Sequence, residues 1–311
     1  MRIIDVHGAH VLDFERFHLD QGELTESREL GYSVLDCIKD IKEFLYKDPK
    51  NITTIMPPPS PIFNSMVGGG RYDFDVFPFH YENTQLLQIM TFLSKLGLED
   101  RVFPYFGFTT DSSKDYNNYL QQLSEKTKCG FKFHALAMKK AISELKGSPA
   151  LEIASKKGLP LLVHTGGDGF SDSRQLVNLA ESYPDVNFCA AHLGYLRREF
   201  LEALPRLPNL FTDTCILSAL LTEIKEGKEK HIDTQSIPPE VRDKPIDEIF
   251  RWLVGAYGIE NKILFGTDQR WTIHVNSDRE HEISLAEKLD YPEDKKDRWL
   301  YQNARRFFKL D

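Results

Sequence analysis

The sequence lacks the features that mark membrane proteins and nucleic-acid-binding proteins. No apolar stretch in the 311 residues approaches the ~20 residues that a membrane-spanning helix needs. No long basic run occurs, and the net charge of −8 makes a nucleic acid an unfavourable partner. The chain begins without the apolar core of a signal peptide. These absences predict a cytoplasmic protein with neither membrane nor nucleic acid as a partner, and they leave a small-molecule substrate open.

Cysteine is scarce, and the spacing typical of a disulfide scaffold is missing. No Cys-x-x-Cys pair occurs among the four cysteines, which are Cys37, Cys129, Cys189 and Cys215. This usage is typical of a reduced, cytosolic protein. The glycine run at 68–70 is followed by Arg71 and by no Gly-Lys-Ser/Thr, so a phosphate-binding loop is not indicated.

The sequence contains enough hydrophobic residues to form the core of one large domain. Hydrophobic residues make up 41% of the chain, and α/β barrels commonly run to roughly 250 residues or more as single domains. No repeat, linker or low-complexity segment divides residues 1–311, so we expect one domain. Two segments stand apart from this regular pattern. The aromatic-rich loop 57–83 is predicted to form a lid, and residues 217–244 form a charged insertion.

Two apolar runs lead directly into a histidine and then a glycine. The run that begins at Leu159 ends in His164, and the run that begins at Val186 ends in His192. Continuous apolar runs are typical of strands that are buried on both faces of a parallel sheet. The carboxyl ends of such strands are where barrel and doubly wound enzymes place their chemistry.

The remaining runs complete an alternation of eight strands with helices. We predict strands at 3–7, 52–56, 102–108, 130–134, 159–164, 186–192, 210–214 and 262–268. Helical spacing of apolar residues and cap signals such as Ser148-Pro149 and Gly258 lie between them. Eight alternating strand–helix units match the number in a (β/α)₈ TIM barrel, so we predict an α/β fold of this type.

Four of the predicted strands carry metal-binding or acid–base side chains at their carboxyl ends. These side chains are His7, His164, His192 and Asp268, on strands one, five, six and eight. A closed barrel makes the first and eighth strands neighbours, so all four side chains can converge at one mouth. Imidazoles and a carboxylate around an open coordination position are typical of a catalytic Zn²⁺ or Mn²⁺ site.

An ordered set of motifs extends this pattern over nearly the whole chain. They are Ile4-Asp5-Val6-His7, Gly130-Phe131-Lys132-Phe133-His134, Leu162-Val163-His164-Thr165-Gly166, Ala191-His192-Leu193-Gly194, Phe265-Gly266-Thr267-Asp268 and Asn303-Ala304-Arg305-Arg306-Phe307. This set resembles the amidohydrolase superfamily. It is most similar to the amidohydrolase-related branch, which holds aminocarboxymuconate-semialdehyde and resorcylate decarboxylases and pyrone-dicarboxylate-type lactonases.

The resemblance implies roles for the matching residues. His7 and His164 would be metal ligands, and Asp268 would be both a ligand and the proton acceptor. His192 would hydrogen-bond the attacking water or polarise the substrate. Lys132 and His134 would line the floor and meet a substrate carboxylate; in binuclear relatives a lysine on the fourth strand is carbamylated. The family implies one divalent metal, Zn²⁺ in first place and Mn²⁺ in second, and is compatible with a homodimer.

The chain departs from the family at the opening motif. The family has His-x-His, whereas Ala9 occupies the second histidine position here and His10 follows one residue late. An i, i+3 pair points to opposite faces of a regular strand, which favours a structural role for His10. His10 can join His7 as a ligand only if Gly8 and Ala9 form a turn or bulge. Two arginines, Arg71 and Arg270, are candidate partners for a substrate carboxylate.

Three functions are therefore open at this point. The favoured one is a metal-dependent hydrolase that uses activated water on the carbonyl of a lactone, a cyclic amide or a similar small substrate. The second is a metal-dependent, non-oxidative decarboxylase of an unsaturated or aromatic acid. The third is a metal-free barrel that acts as a biosynthetic cyclase or a binding protein. Asp5 is expected to buttress a histidine, and Asp213 to cap a loop or to join the site.

Overall fold

The computed structural model of the chain describes residues 1–10, 18–20, 23–25, 34–57, 79–215, 217, 220–222, 237–268 and 279–310. Eight strands form one parallel sheet in the order β1 (Ile4–His10), β4 (Ile52–Met56), β5 (Val102–Gly107), β6 (Gly130–Phe133), β7 (Leu161–Val163), β8 (Phe188–Ala190), β9 (Leu210–Asp213) and β10 (Ile263–Leu264). A separate antiparallel pair consists of β2 (His18–Asp20) and β3 (Glu23–Thr25).

Helices separate the strands of the parallel sheet. They are α1 (Val34–Lys47), α2 (His80–Lys95), α3 (Lys114–Lys126), α4 (Ala135–Met138), α5 (Pro149–Lys157), α6 (Arg174–Ser182), α7 (Arg198–Ala203), α8 (Glu240–Asp243), α9 (Ile246–Tyr257), α10 (Arg279–Lys288), α11 (Glu293–Asp297) and α12 (Asn303–Phe308). Short 3₁₀ turns occur at Glu99–Arg101, Ile142–Leu145, His192–Leu196 and Leu204–Arg206, and a π-helical turn at Arg298–Gln302.

Backbone hydrogen bonds join the two ends of the sheet. The Val6 amide donates to the Phe265 carbonyl at 3.0 Å, and the Thr267 amide donates to the His7 carbonyl at 2.9 Å. The first strand is thereby bonded to the segment that follows the last one. The predicted (β/α)₈ TIM barrel is confirmed.

Local cap signals account for helix bounds such as those of α5. The Ser148 hydroxyl accepts a hydrogen bond from the Leu151 amide, and Pro149 occupies the first helical position, where its missing N–H costs nothing. The helix ends at Gly158 with a φ of 66°, a left-handed conformation that glycine adopts without strain.

Aromatic and aliphatic side chains close the amino-terminal end of the barrel. Phe103 and Phe211, near the starts of β5 and β9, pack against Phe308 and Phe307 of α12, with ring centroids 4.8 and 5.5 Å apart. Ile4 of β1 belongs to the same buried cluster. Because this end is filled with apolar side chains, the polar strand ends at the opposite mouth are left for chemistry.

An irregularity in β1 changes which side chains face that mouth. Asp5 pairs with Thr53 and Ala9 pairs with Ile55, so four steps along β1 correspond to two steps along β4. The Gly8 amide donates to Thr54 Oγ1 at 2.8 Å within this bulge. The strand continues to His10, three residues beyond the predicted end, because the bulge resumes the pairing that a regular strand would have lost.

The two irregular segments predicted from the sequence fall largely outside the described residues. This holds for residues 58–78 of the predicted lid 57–83, and for 218–219 and 223–236 of the predicted insertion 217–244. Both assignments, and that of a single domain over 1–311, stay predictions. Among the helices of the described ranges, none combines the length and the apolarity that crossing a membrane requires.

The bulge predicts that Gly8 tolerates no side chain. A Cβ at this position would lie against the Thr54 carbonyl oxygen and 2.7 Å from Thr53 Oγ1, so β1 would have to move. We expect Gly8→Ala to lower the free energy of unfolding by about 1–3 kcal/mol, the usual cost of overpacking. Urea denaturation measures it.

Gly255→Ala is the matched control, because it makes the same change within α9, where no atom beyond the neighbouring backbone of that helix lies within 4 Å of the new Cβ. This control is expected to raise stability by up to about 1 kcal/mol through helix propensity. Equal unfolding midpoints for the two variants would contradict the proposed steric role of Gly8.

Candidate active site

Polar side chains from three parts of the barrel meet at its carboxyl-terminal mouth. His7 and His10 come from β1, Lys132 from β6, and Asp268 from the segment after β10. All four side chains are buried, with exposures between 1% and 5%. Buried polar groups of this kind need hydrogen-bond or ionic partners, and these four side chains are partners of one another.

The first group of potential ligands consists of His7, His10 and Asp268. Asp268 Oδ1 lies 2.8 Å from His10 Nε2 and 3.2 Å from His7 Nε2. The three ligand atoms lie within 4.8 Å of one another. His10 therefore lies beside His7. The bulge of β1 that the sequence analysis requires for this arrangement is present.

Asp268 is held in place by its backbone and by the segment before it. Its φ of 49° lies in the left-handed region, which costs of order 1 kcal/mol or more for a residue other than glycine. The Asp268 amide donates to the His7 carbonyl at 2.6 Å. Non-glycine residues in this conformation cluster at active sites, because surrounding contacts must maintain them.

Asp5 supports Asp268 through Thr267 and not through a histidine. The Asp5 carboxylate accepts hydrogen bonds from the Thr267 amide at 3.1 Å and from the Thr267 hydroxyl at 2.8 Å. Arg279, the first residue of α10, donates to Asp5 at 3.1 Å and to Thr53 Oγ1 at 3.0 Å. The sequence analysis predicts that Asp5 buttresses a histidine, whereas its partner in the structure is Thr267. The sequence does not indicate this contact because the approach of Thr267 depends on barrel closure.

A second group of potential ligands surrounds the other nitrogen of His7. Its members are His7, His192, Asp213 and Cys215, and their ligand atoms also lie within 4.8 Å of one another. His7 Nδ1 donates to Asp213 Oδ2 at 3.0 Å, and the Asp213 Oδ1 atom accepts from the His192 amide at 2.9 Å. Cys215 Sγ lies 3.0 Å from both His7 Nδ1 and His192 Nδ1.

His192 stands at the start of a left-handed turn. Residues His192–Leu196 all have positive φ values, between 53° and 59°. Gly194 at its centre leaves no room for a side chain, because a Cβ there would overlap the buried ring of Phe200. This turn aims the His192 ring at Cys215 on one side and at His164 on the other.

His164 and His134 lie next to these groups and belong to neither. His164 Nδ1 is 3.2 Å from His192 Nε2, and the rings of His164 and His134 are stacked with centroids 3.8 Å apart. His134 Nδ1 accepts from the Ala137 amide at 3.3 Å and so caps α4. Metal ligation by His164 and substrate binding by His134 stay predictions.

Lys132 lies directly beside the first group. Its Nζ atom is 3.1 Å from His7 Nε2 and the side chain is 5% exposed. Burial lowers the pKa of Lys132, while Asp268 and Asp213 act in the opposite direction. The two arginines predicted to anchor substrate, Arg71 and Arg270, lie outside the described residues.

The electrostatics favour ionised carboxylates and mostly neutral imidazoles. Burial by itself raises the pKa of Asp268, but the adjoining His7 and His10 hold it well below its usual range. The same balance, with His7 as the main favourable partner, lowers the pKa of Asp213 to about 2. Burial lowers the pKa of His192 to about 4 and those of His10, His134 and His164 below the ordinary value.

His7 is the exception among the histidines. Burial and Lys132 lower its pKa, but Asp268 and Asp213 outweigh them and raise it. The His7 imidazole thus lies between two carboxylates, and both favour its protonated form. Burial raises the pKa of the Cys215 thiol well above its ordinary value, and Asp213 adds to this effect. Cys215 is therefore a neutral donor toward Asp213, which its Sγ contacts at 2.8 Å.

Two residues of the site, Asp213 and Cys215, carry little signal in the sequence. Asp213 ends β9 at the same level as the other strand-end residues, so its position along the chain was a usable signal. In the sequence, Cys215 is only one of four scattered cysteines. It follows β9 by two residues, and no sequence pattern indicates that a residue there turns back into the barrel.

The first group fits a divalent metal ion on its chemistry. Two imidazole nitrogens and one carboxylate oxygen are ligands that Zn²⁺ and Mn²⁺ accept, and three protein ligands leave coordination positions open. His7, His10 and Asp268 are thus candidate ligands of a divalent metal. A metal-binding histidine commonly donates its other ring N–H to a carboxylate that orients the ring. Asp213 is that carboxylate for His7.

Comparison with known proteins places this barrel in a family. An amidohydrolase family model matches residues 34–310, well over half of the chain. A comparison with curated protein sequences gives no significant match.

Solved structures share the fold over the whole length of the chain. The Acinetobacter baumannii protein named "probable 2-pyrone-4,6-dicarboxylic acid hydrolase", with citric acid bound, superposes with a TM-score of 0.61 at 13% identity, covering 99% of this chain and 100% of its own. The 5-carboxyvanillate decarboxylase of Sphingomonas paucimobilis gives 0.56 at 11% identity and covers 99% of each chain. An amidohydrolase from Burkholderia multivorans with bound zinc gives 0.56 at 12% identity and covers 100% of each.

At these identities the structural likeness establishes the fold alone, while the family match rests on the sequence itself. The matched span includes the strand-end residues His164, His192 and Asp268. The resemblance inferred from the ordered motifs is confirmed, and the chain belongs to the amidohydrolase family and is an enzyme of the amidohydrolase type.

Proposed function

We propose that the chain is a metal-dependent hydrolase that adds water to the carbonyl of a small carboxylated substrate, such as a lactone or a cyclic amide. The observation that carries the proposal is the position of Asp268. Its Oδ1 atom lies within 3.2 Å of the Nε2 atoms of both His7 and His10, at the mouth of an amidohydrolase barrel. A proton acceptor thus stands among the ligands of a hydrolytic metal site.

His7, His10 and Asp268 would hold the ion, with Zn²⁺ preferred over Mn²⁺ for a set dominated by imidazole. A divalent ion bound there supplies a lowered water pKa and polarisation of the substrate carbonyl. The zinc found in the similar Burkholderia multivorans amidohydrolase supports this choice. The remaining chemistry belongs to the chain's own side chains.

Asp213 sets the tautomer that His7 needs for this role. Because His7 Nδ1 donates to Asp213 Oδ2 at 3.0 Å, the lone pair of a neutral His7 lies on Nε2. That nitrogen is the one directed at Asp268 and Lys132. The carboxylate therefore positions His7 and raises its basicity without reaching the substrate itself.

Asp268 moves the proton in the hydrolytic step. The water oxygen forms a bond to the carbonyl carbon while one water proton passes to the Asp268 carboxylate. When the bond from the carbonyl carbon to the ring oxygen or nitrogen breaks, Asp268 returns that proton to the leaving atom. The ring opens to a single product, a hydroxy acid from a lactone or an amino acid from a cyclic amide, and Asp268 is regenerated as a carboxylate.

His192 is placed to stabilise the charge that develops on the carbonyl oxygen. It is neutral because its pKa is lowered to about 4 by burial, and the neighbouring Cys215 thiol occupies its Nδ1 side at 3.0 Å. The proposed role requires the proton on Nε2, the nitrogen that lies 3.2 Å from His164 Nδ1. A preorganised N–H donor of this kind contributes most when it is aimed at the oxyanion.

Lys132 gives the site its preference for an acidic substrate. Its buried amine lies beside His7, where a carboxylate on the substrate would compensate the cost of burying a positive charge. His134 on the same segment completes the floor beside His164. Arg71 and Arg270 are further proposed anchors for such a carboxylate.

Decarboxylation is the second candidate reaction for the same side chains. The whole-length similarity to the 5-carboxyvanillate decarboxylase favours it, since the structures compared include this decarboxylase as well as a protein named as a probable hydrolase. Purified enzyme should therefore be supplied with panels of lactones, cyclic amides and hydroxybenzoates. Release of acid without carbon dioxide would support hydrolysis, and release of carbon dioxide would support the second candidate.

Turnover is predicted to depend on Asp268 and on the metal. We expect Asp268→Asn to lower kcat by about 10²–10⁴-fold, because the amide cannot accept the water proton. Chelation should abolish turnover of the unaltered protein, and re-addition of Zn²⁺ should restore it. Metal content is measured in parallel by elemental analysis of protein purified without chelator.

The matched control is Asp297→Asn, since Asp297 pairs with Arg2 on a partly exposed surface away from the mouth. Its kcat should equal that of the unaltered protein. Substoichiometric metal together with full activity of Asp268→Asn would refute the metal-dependent mechanism.

Asp213 predicts a second effect, on metal affinity. In Asp213→Asn the amide group can donate to His7 Nδ1, which would move the proton of His7 to Nε2 and remove the lone pair that the ion needs. We expect about 10–100-fold weaker metal binding, as is usual for loss of an orienting carboxylate. Competition with a chelator of known affinity measures this, with Asp297→Asn again as control; unchanged affinity would contradict the positioning role.

A further inference from the structure

The four side chains around His7 Nδ1 are more than a hydrogen-bonded support. His7, His192, Asp213 and Cys215 combine two imidazoles, a carboxylate and a thiol, with their ligand atoms within 4.8 Å of one another. We propose that they form a second metal site, which binds Zn²⁺ with four protein ligands and shares only His7 with the His7–His10–Asp268 group.

The spacing of the donor atoms suits a compact four-coordinate ion. Cys215 Sγ lies 3.0 Å from His7 Nδ1, 3.0 Å from His192 Nδ1 and 2.8 Å from Asp213 Oδ1. His7 Nδ1 lies 3.0 Å from Asp213 Oδ2. In a tetrahedral zinc site with these ligand types the donor atoms are roughly 3.3–3.7 Å apart. Side-chain shifts of about half an ångström would admit the ion.

The charges of the four ligands match a buried divalent ion. With Cys215 as a thiolate and Asp213 as a carboxylate, two negative charges balance the two positive charges of Zn²⁺, and both imidazoles remain neutral. The exposure of the four side chains is between 0% and 3%. A neutral ensemble is what such burial requires, because an uncompensated charge there would be costly.

The two ligand groups differ in the way that distinguishes the two common kinds of zinc site. The first offers three ligands and leaves positions for water and substrate, as catalytic sites do. The second offers four ligands including a thiolate and leaves none, as structural sites do. Thiolate is a soft ligand that selects zinc over magnesium, calcium or manganese.

His7 couples the two sites because both use the same imidazole ring. Its Nε2 faces Asp268 at 3.2 Å, while its Nδ1 faces Asp213 and Cys215 at 3.0 Å. A neutral imidazole has one lone pair, so it serves one ion at a time. When Zn²⁺ enters the second site, the thiol proton of Cys215 is released and the His7 proton moves to Nε2, where Asp268 accepts a hydrogen bond from it.

Cobalt substitution tests the proposal through the thiolate. The protein is produced in medium that contains Co²⁺ and no added zinc, so that the ion is present as the buried site folds. Cobalt ligated by Cys215 would show thiolate-to-metal charge-transfer absorption in the near ultraviolet. We expect this band in the unaltered protein, and a loss of at least tenfold in its intensity in Cys215→Ser.

Matched variants locate the thiolate and separate the two sites. Cys129→Ser and Cys189→Ser should keep the band, since Cys129 lies outside the cluster and Cys189 is 3.6 Å from Asp213 but absent from the ligand set. The His10→Ala, Asp268→Asn double variant removes two of the three ligands of the first group and should also keep the band. The band therefore reports on the second site whether or not the proposed hydrolase function holds.

A second measurement covers the case in which Cys215→Ser fails to fold. X-ray absorption of the unaltered, cobalt- or zinc-loaded protein should show one sulfur ligand at about 2.3 Å. Absence of a sulfur ligand and of the charge-transfer band overturns the proposal. A band that survives Cys215→Ser, or that disappears in Cys189→Ser, overturns it as well.

Discussion

The position of His7 between two carboxylates is the interaction on which the rest of the site depends. Asp213 lies 3.0 Å from its Nδ1 and Asp268 lies 3.2 Å from its Nε2, and together they raise its pKa despite complete burial. A cation at this point, whether a proton or a metal ion, is favoured from both sides. The proposed catalytic group and the proposed thiolate site are the two ways in which a metal ion can exploit that arrangement.

Strained backbone and buried support maintain this arrangement. Asp268 and His192 both have left-handed φ values, and each is flanked by contacts that leave little freedom. Behind Asp268, the chain of Thr267, Asp5 and Arg279 links β1, the end of β10 and the first turn of α10. The geometry of the mouth thus relies on residues that are buried behind it.

The proposed reaction and the proposed second site make different demands on the same side chains. Hydrolysis needs Asp268 as a base, His192 as a donor and an open position near His7. The closed site needs His7, His192, Asp213 and Cys215 as its ligands. Because both ligand groups use His7, the availability of metal influences which group holds an ion. His7 itself links the two groups.

The sequence by itself determined the strands, the barrel and the residues at the strand ends. Apolar runs that end in His164, His192 and Asp268 are local signals, and an alternation of eight strands with helices allows few folds. Tertiary structure decided the rest. His10 faces the mouth only because β1 bulges against β4, while Asp213, Cys215 and Lys132 meet His7 only because distant strands close into a barrel. These contacts depend on register between segments far apart in the chain, which no local pattern encodes.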